Sequence, residues 1–448
     1  MNISQKAWVA LLALSAAVAQ PTAAQGPRTV TLEEAIRMGT QNNTQLKLSA
    51  SRVQLAQARL QQAKEKELPQ ATAALSYSHY NIMTPFALTP AGAEKPVFGV
   101  PKGGFDATMG VASVRKDLFT GFAEKSAKQS AGYLLEASRL DAEKDRAELT
   151  LQVISAYYNI FKLTRSAAIL DQNLRLLDEK EREVKNLEKE GIVTANDVLR
   201  VQLQKNNLQL SKLDLETARE TSLYNFALML GLPDNQPLAV DTTLAAAAPA
   251  SLTTAEDLQA QALQNRQELQ AGTLREKAAR SSMRAARSAY FPHLGLAAGY
   301  NYVNPNANVI PEPGTFLNAW NAGVTLSYNL SSLYGWRGRV AEARVTADQA
   351  HLQTAQQTDA VKNEVFGTYK GYQMAGEKIA VNETALAQAR ENYRLIDSKF
   401  RNGLVLSSDL LEAQTLMLQA QLNLLNAQVD AQVAYYRLQK ATGSLDKQ

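Results

Sequence analysis

Two segments of the chain repeat one another at a constant spacing. Residues 190–199 have the sequence EGIVTANDVL and residues 402–411 have NGLVLSSDLL, so that Asp409 lies 212 residues after Asp197. A register kept over roughly 80 residues predicts two copies of one long helical hairpin, and it constrains the fold before any local pattern is considered. The other pairs at this spacing are Gly231 and Gly443, Val153 and Val365, and Tyr157 and Tyr369.

The composition excludes several classes of protein. The 448 residues include no cysteine, and 47 basic residues against 43 acidic ones leave a formal net charge of +4. Without cysteine there is no disulfide, no thiolate nucleophile and no Cys-ligated metal. A small and dispersed positive excess does not predict nucleic-acid binding.

The N-terminus has the pattern of a secretory signal peptide. Lys6 precedes an apolar stretch over residues 7–19, and Ala19 or Ala24 is the candidate residue before cleavage. Thirteen residues are too few for the ~20 that a transmembrane helix needs, which argues against a membrane anchor. We therefore expect residues 1–24 to be removed on export. The mature chain then resides in the periplasm, outside the cell, or in the outer membrane through a β-barrel.

Each half of the chain shows the same order of elements. In the first half, Thr31 caps a helix that runs to Leu68, with a break expected near Asn42 and Asn43. Alternation of period two then predicts strands over residues 73–78 and 105–118, with a Pro- and Gly-rich loop between them.

The second half repeats this order after a Gly-, Pro- and Ala-rich linker, residues 232–251. A helix is expected from Leu252 to about Tyr290, and strands over residues 294–302 and 320–329. One side of each strand is apolar and aromatic, and the other is small and polar. The predicted organisation is a first repeat over residues 25–231, the linker, and a second repeat over residues 252–448.

Long helices are the second strong signal. No proline occurs between Gly121 and Gly191, and ~70 residues at 1.5 Å each make a helix of ~105 Å. Apolar residues alternate in steps of four and three, which predicts a coiled-coil seam in each half. The seam residues are Leu149, Val153, Ala156, Ile160, Leu163, Ala167, Leu170, Leu174 and Leu177, then Val361, Val365, Thr368, Tyr372, Ala375, Ile379, Leu386, Ala389, Tyr393, Ile396 and Phe400.

Four strands of about ten residues suit a membrane β-barrel but cannot close one, because the smallest such barrels have about eight strands. An open edge in lipid leaves backbone groups unsatisfied, at a cost of several kcal/mol each. Strands in a membrane would therefore require the chain to oligomerise. A seam repeated around a ring of copies would form a hollow helical cylinder.

The tandem repeat, the strand pair in each half and the two Gly-x5-Asp turns (Gly191 to Asp197, Gly403 to Asp409) resemble the TolC family of outer-membrane channels over nearly the whole mature chain. The resemblance implies a mainly α fold with a small β part. In the homotrimer, a long α-helical coiled-coil barrel is continuous with a twelve-stranded transmembrane β-barrel, four strands from each chain. It also implies a place in the outer membrane with a long periplasmic extension, and no cofactor.

The implied function is the exit duct of a tripartite efflux or type I secretion system, joined to a periplasmic adaptor and an inner-membrane transporter. The residues that match the family's aperture acids are Asp197, Asp409 and Glu412, and those at the periplasmic tip turns and adaptor contact are Gly191, Ile192, Val193, Gly403, Leu404 and Val405. Three-fold symmetry would turn each carboxylate into a ring that concentrates cations. The alternative role of such an Asp is to cap its own helix.

The tip departs from the pattern of some family members. Those members close the tip with a tyrosine three residues before the second turn glycine and an arginine two residues after it. Phe400 and Val405 occupy these positions here, so that apolar packing would have to replace the polar network.

Aromatic residues of the strands are candidates for a girdle at the membrane interface. The alternative is ordinary packing in a soluble sheet. The girdle candidates are Tyr77, Tyr300, Tyr302, Trp320 and Tyr328.

Two other functional classes fit the sequence less well. An enzyme is disfavoured because His79, His293 and His351 lack metal-ligand spacing and no nucleotide-binding motif occurs. A periplasmic or surface coiled-coil scaffold explains the heptads but not the paired strands. The charged run over residues 178–183 is expected to be a solvated coiled-coil face. The cargo, whether drug, metal ion, small molecule or protein, and the partner pump are not encoded in these patterns.

Overall fold

The computed structural model describes residues 28–84, 86–92, 94, 98–100, 103–233, 238–241, 254–305 and 317–445. The predicted signal peptide and most of the predicted linker lie outside the described residues. In the described residues, no helix combines the length and the apolar character needed to span a membrane.

The first repeat has the expected order, with two additions. Its elements are β1 (Arg28–Val30), α1 (Leu32–Asn42), α2 (Thr44–Glu65), β2 (Gln70–Ile82), β3 (Phe86–Leu88), β4 (Phe98–Val100), β5 (Gly103–Phe119), α3 (Ala123–Lys189) and α4 (Ala195–Leu230). The predicted break at Asn42 and Asn43 is confirmed, and the Oγ1 of Thr31 accepts from the backbone N–H of Glu34 at 3.2 Å, as the capping pattern predicts. The predicted loop contains a small hairpin, because β3 pairs with β4.

The second repeat follows the same plan. Its elements are β6 (Leu238–Val240), α5 (Ala255–Asn265), α6 (Gln267–Arg287), a 3-10 turn (Ser288–Tyr290), β7 (His293–Pro305), β8 (Leu317–Ser327), α7 (Ser332–Gly335), α8 (Arg337–Arg401) and α9 (Ser407–Thr442). Strand β6 falls inside the predicted linker and pairs in parallel with β1. Strands of three residues carry too few side chains for period-two alternation to be detected, which explains why both small sheets were missed.

Contacts divide the chain into two compact units. Unit 1 contains the described residues of Met1–Thr44, Glu148–Ser251 and Lys370–Leu438. Unit 2 contains those of Gln45–Ala147, Leu252–Tyr369 and Gln439–Gln448. Each unit therefore takes segments from both sequence repeats.

The core of unit 1 is helical and follows the predicted seam. Val153, Ile160 and Leu177 of α3 are at most 1% exposed. The seam is wider than a heptad predicts, because Ile154 and Phe161, which each directly follow a seam residue, are equally buried. A helix that packs against neighbours on two sides buries more than the a and d positions of a simple coiled coil.

In both repeats a side chain at the helix break donates to a carbonyl oxygen near the end of the last helix of the repeat. The donating side chain differs between the two repeats. In unit 1, the Nδ2 of Asn43 donates to the carbonyl oxygen of Met229 at 3.1 Å. In unit 2, Arg266 occupies the break between α5 and α6 and donates to the carbonyl oxygen of Ala441 at 3.1 Å. Ala441 lies 212 residues after Met229, so the repeat preserves the acceptor and changes the donor. The prediction of a single helix over residues 252–290 was wrong, because the helix breaks at Arg266.

Unit 2 contains an antiparallel sheet of four long strands in the order β2-β5-β7-β8. The pairing is continuous over most of the strand lengths, with one register shift between Asp117 and Phe119 of β5. Strands β2 and β8 form the two edges, and neither has a further strand partner among the described residues. The four long strands that the sequence predicts are thus confirmed as one open sheet.

Candidate functional site

The sheet of unit 2 has two chemically different faces. Because side chains alternate along a strand, the observed register places Tyr77, Tyr300, Tyr302 and Trp320 on one face. In the single chain this face is open, since Trp320 is 79% exposed. The same face carries Leu75, Leu296, Val324 and Leu326.

The aromatic candidates fall into two groups along the strands. Tyr300 and Trp320 are register partners, and Tyr77 and Tyr302 lie in the next rows toward the strand ends at residues 82 and 103. Tyr328 comes directly after β8, at its other end. Eight residues at ~3.3 Å each separate Trp320 from Tyr328, a distance of ~26 Å along the strand.

The opposite face of the sheet is mostly small or polar. Thr72 and Ser113 bring their hydroxyl oxygens within 2.8 Å, and the Nε of Arg115 lies 3.3 Å from a carboxylate oxygen of Asp117. Asn301, Asn321 and Thr325 share this face. The polar character suits contact with water, whereas the aromatic face does not.

Both tip turns, defined as residues 190–194 and 402–406, end their long helices in the same way. Gly191 and Gly403 have φ values of 76° and 69°, a conformation that a side chain disfavours. After each glycine the next N–H reaches back five residues: Ile192 donates to Leu187 at 2.9 Å, and Leu404 to Lys399 at 3.0 Å. This is the Schellman arrangement, so the two glycines are required by backbone geometry.

The acids after the turns cap their own helices. The backbone N–H of Thr194 donates to Asp197 at 2.9 Å, and that of Leu406 donates to Asp409 at 3.2 Å. Glu412 is exposed and makes no hydrogen bond or ion pair with any described residue. The alternative role of the two aspartates, helix capping, therefore has direct geometric support. Glu412 is the one of the three acids that has no such bond to a described residue.

Asp197 also joins the first turns of α4 and α9. The hydroxyl of Ser407, the first residue of α9, donates to one carboxylate oxygen of Asp197, while Thr194 donates to the other. The hydrogen bond from Ser407, followed by those from Thr194, lowers the pKa of Asp197 below its ordinary value. Ser407 was not singled out from the sequence, because its counterpart in the first repeat is Ala195, which cannot make this bond.

Phe400 and Val405 lie in an apolar cluster at the tip of unit 1, called the tip cluster. Phe400 is 3% exposed, and Val405 is half-buried against it. The cluster shows that apolar packing occupies the positions where some family members place the tyrosine and arginine. Its buried members are Leu170, Leu177, Val184, Val198, Val201, Leu208, Phe400 and Leu410.

The charged run over residues 178–183 is not a uniformly solvated face, which corrects that prediction. Lys180 is 4% exposed. Its Nζ contacts Glu183 at 2.7 Å and also pairs with Asp397 of α8. Arg401 completes the group at 3.0 Å from Asp397. The heptad pattern predicts that α3 contacts other helices only through its apolar seam. In the structure these charged residues also pair α3 with α8.

Glu181 of the same run faces α4 and is held as an anion. It accepts from Lys185 at 2.7 Å, from Gln202 at 2.9 Å and from Lys205 at 3.2 Å. These hydrogen bonds, that of Lys185 first, lower the pKa of Glu181 to about 2. The pair of α3 and α4 is therefore fastened by charge as well as by the seam.

Replacing Glu181 with glutamine should weaken this part of the helix pair only at neutral pH. A lowered folded-state pKa contributes stability above the ordinary value of ~4.5, and that stability is lost as the pH falls toward ~2. We expect a local loss of about 1–3 kcal/mol at pH 7 and almost none near pH 2. Hydrogen exchange of the amides of residues 175–189 measures it. Glu179→Gln, an exposed neighbour, is the control, and an equal effect of both variants would contradict the assignment.

The histidines do not form a metal site. Across the residues that the structure describes, no group of three or more His, Asp or Glu side chains could hold a metal ion. His79 pairs with Asp106 at 2.9 Å on the aromatic face, and His351 of α8 pairs with Glu276 of α6 at 3.3 Å. His79 and His351 are therefore each paired with a carboxylate.

Comparison with known proteins agrees with the geometry. The sequence profile of the outer membrane efflux protein family matches residues 35–232 and 258–444. The outer membrane efflux protein BepC of Brucella suis is 24% identical over 93% of this chain and 86% of its own length. Outer membrane protein TolC of Vibrio cholerae is also 24% identical, over 67% of this chain and 68% of its own. The crystal structure of VceC from Vibrio cholerae superposes with a TM-score of 0.77 at 18% identity, covering 92% of this chain and 96% of VceC.

The two matched segments of the profile coincide with the two copies of the helix, strand-pair and helical-hairpin plan, and together they cover most of the chain. The structural likeness independently shows the same fold, mostly helical with a small β part. The chain therefore belongs to the outer membrane efflux protein family, the TolC-type channels.

Proposed function

We propose that three copies of this chain form the outer-membrane exit duct of a tripartite efflux system. The observation that carries the proposal is the open sheet of unit 2, with one apolar, aromatic face and one polar face. Its two edges would be costly in lipid, since unsatisfied backbone groups cost several kcal/mol each. Three sheets supply twelve strands and close the edges, with the aromatic face toward lipid and the polar face toward the lumen.

The aromatic residues support a membrane position for the sheet. Trp320 and Tyr328 are separated by ~26 Å along β8, which at the ~40° tilt of such strands is ~20 Å of height and thus most of the ~25 Å apolar band between the aromatic girdles. We propose that Tyr77, Tyr300, Tyr302 and Trp320 line the outer girdle, and that Tyr328 belongs to the inner one. Residues 1–24 would direct export, and residues 25–231 and 252–448 would act as the two repeats of the mature wall.

The tip turns are the proposed site of adaptor docking in the periplasm, through which an inner-membrane transporter is joined. Two of their apolar side chains are exposed, Ile192 to 58% and Leu404 to 73%. Both would face water unless a partner covered them. Val193 and Val405 instead pack inward against the tip cluster. A rigid Schellman turn with an outward apolar residue suits docking of an apolar partner surface. We propose that the chain acts by conducting and by binding partners, without catalysis or a cofactor.

We propose that Asp409 and Glu412 line the aperture, Glu412 more openly. The double variant Asp409→Asn with Glu412→Gln should reduce cation over anion permeability about twofold or more in planar bilayers, because a ring of carboxylates concentrates cations. Asparagine can still accept the capping bond of Asp409. Glu383→Gln, an exposed acid of α8, is the matched control. Unchanged selectivity would remove both acids from the aperture, and absence of any conductance in the wild type would refute the channel itself.

A further inference from the structure

Where the strands of unit 2 continue into helices, aromatic and basic side chains come together. The guanidinium of Arg339 lies 4.5 Å from the ring centre of Trp336, an arrangement that holds the cation beside the ring. Both side chains line a groove with Ala286, the residue before Arg287. We call the set Arg287, Trp336, Arg337 and Arg339 the collar.

The collar carries positive charge that the protein does not neutralise. Arg287, Arg337 and Arg339 are exposed, and none of them forms an ion pair with a described residue. On the preceding turns of α6, Arg280 pairs with Glu276, and Arg284 donates to Gln129 and Ser281. Glu342, which lines the groove, is the one carboxylate of its described lining. The three arginines of the collar thus face one carboxylate of the groove, which leaves a net charge of +2.

The collar also lies beside exposed apolar surface. Tyr328 and Leu330 follow β8 and are 40% and 68% exposed, and Tyr334 of α7 is 74% exposed. Helix α7, which contains Tyr334, contacts the 3-10 turn that follows Arg287. Aromatic rings with polar edges favour the boundary between hydrocarbon and headgroups. The arginines are therefore placed at the level where lipid phosphates would lie.

We propose that the collar binds the phosphate of an anionic phospholipid in the periplasmic leaflet of the membrane. The inference rests on the proposed membrane position of the sheet. Arg337 and Arg339 would hold the phosphate through charge-assisted hydrogen bonds, and Trp336 would pack against the glycerol and upper acyl region. The small side chains of the groove, such as Ala279, Ser282 and Ala286, leave space for the headgroup. An anionic headgroup is favoured over a zwitterionic one because the collar has no compensating acid beyond Glu342.

Native mass spectrometry of the purified trimer in detergent tests this proposal. Phosphatidylglycerol should be retained in preference to phosphatidylcholine, and Arg337→Gln with Arg339→Gln should reduce that retention by about 25-fold, or about fivefold for each arginine near an anionic surface. Arg182→Gln, an exposed arginine of unit 1, is the control and should leave retention unchanged.

Three results would overturn the lipid site: equal retention of both lipids by the wild type, undiminished retention by the double variant, or displacement of the lipid by millimolar inorganic phosphate. The last result would mark a small-anion site instead. Conductance is measured on the same preparations. If the trimer conducts and the lipid does not bind, the collar proposal alone fails; if there is neither trimer nor conductance, the proposed function fails.

Discussion

Replacing Arg266 with methionine is expected to destabilise the helical core of unit 2 by about 3–5 kcal/mol, because it leaves two half-buried acids and two carbonyl oxygens without their buried partner. Arg266 is 3% exposed. Its guanidinium contacts Glu268 and lies 2.6 Å from Glu364, and it donates to the carbonyl oxygens at the end of α9. Methionine replaces the aliphatic stem of the arginine and removes all of these bonds.

The pKa of Glu364 shows how much the pair matters. Burial by itself would raise this pKa, but hydrogen bonds from Arg266 and from Lys440, at 2.9 Å, hold it below the ordinary value. Without Arg266 only Lys440 opposes the effect of burial, so the pKa of Glu364 is expected to rise. The triple variant Arg266→Met, Glu268→Gln and Glu364→Gln should recover part of the lost stability, since it removes the buried charges together.

The measurement is hydrogen exchange of the amides of α5 and of the last turn of α9, together with the heat resistance of the assembled protein. Arg275→Met is the matched control on α6, because Arg275 pairs with Asp141 at the surface, where such a pair contributes about 0–1 kcal/mol. Asn43→Ala, which removes the neutral counterpart in unit 1, should cost about 1 kcal/mol. If Arg266→Met is no worse than Arg275→Met, the buried cluster does not stabilise the break.

The same position shows where prediction from sequence ends. The break at Asn42 and Asn43 was predictable because asparagine competes with helical hydrogen bonds through its short polar side chain. Arg266 is a good helix former and carries no such signal. Its break is specified by acceptors and acids that lie 98 to 175 residues away in the chain, and only the folded unit brings them together.

The site was predictable to the extent that backbone geometry determines it. Gly191 and Gly403 follow from their spacing, because a left-handed residue that ends a long helix needs glycine. The bond between Ser407 and Asp197 joins residues 210 apart and breaks the symmetry of the repeat, so no periodic pattern reveals it. The alternation of the sequence predicted an aromatic face of the sheet. Only the register of the folded strands shows which residues lie in the same row.

Replacing Phe400 with alanine is expected to loosen the tip by about 3–5 kcal/mol and to raise the basal conductance of the channel. The phenyl ring is 3% exposed within the tip cluster, so its removal deletes apolar contacts and leaves a cavity beside Leu410 and Val198. The measurements are hydrogen exchange over residues 393–411 and single-channel recording without partners. Leu404→Ala is the control, since Leu404 belongs to the same tip but is 73% exposed and should change neither quantity.

Phe400→Tyr separates packing from hydrogen bonding at the same position. If apolar packing closes the tip, the added hydroxyl enters the tip cluster and costs about 1–3 kcal/mol unless it finds a partner. If a polar network of the kind seen in some family members were still available, the tyrosine would instead stabilise the tip and lower the basal conductance. A Phe400→Ala variant that behaves like Leu404→Ala would show that the ring does not close the tip. The hydrogen bonds to Asp197 would then be the remaining support, because Thr194 of the first tip turn and Ser407, directly after the second, both bind its carboxylate.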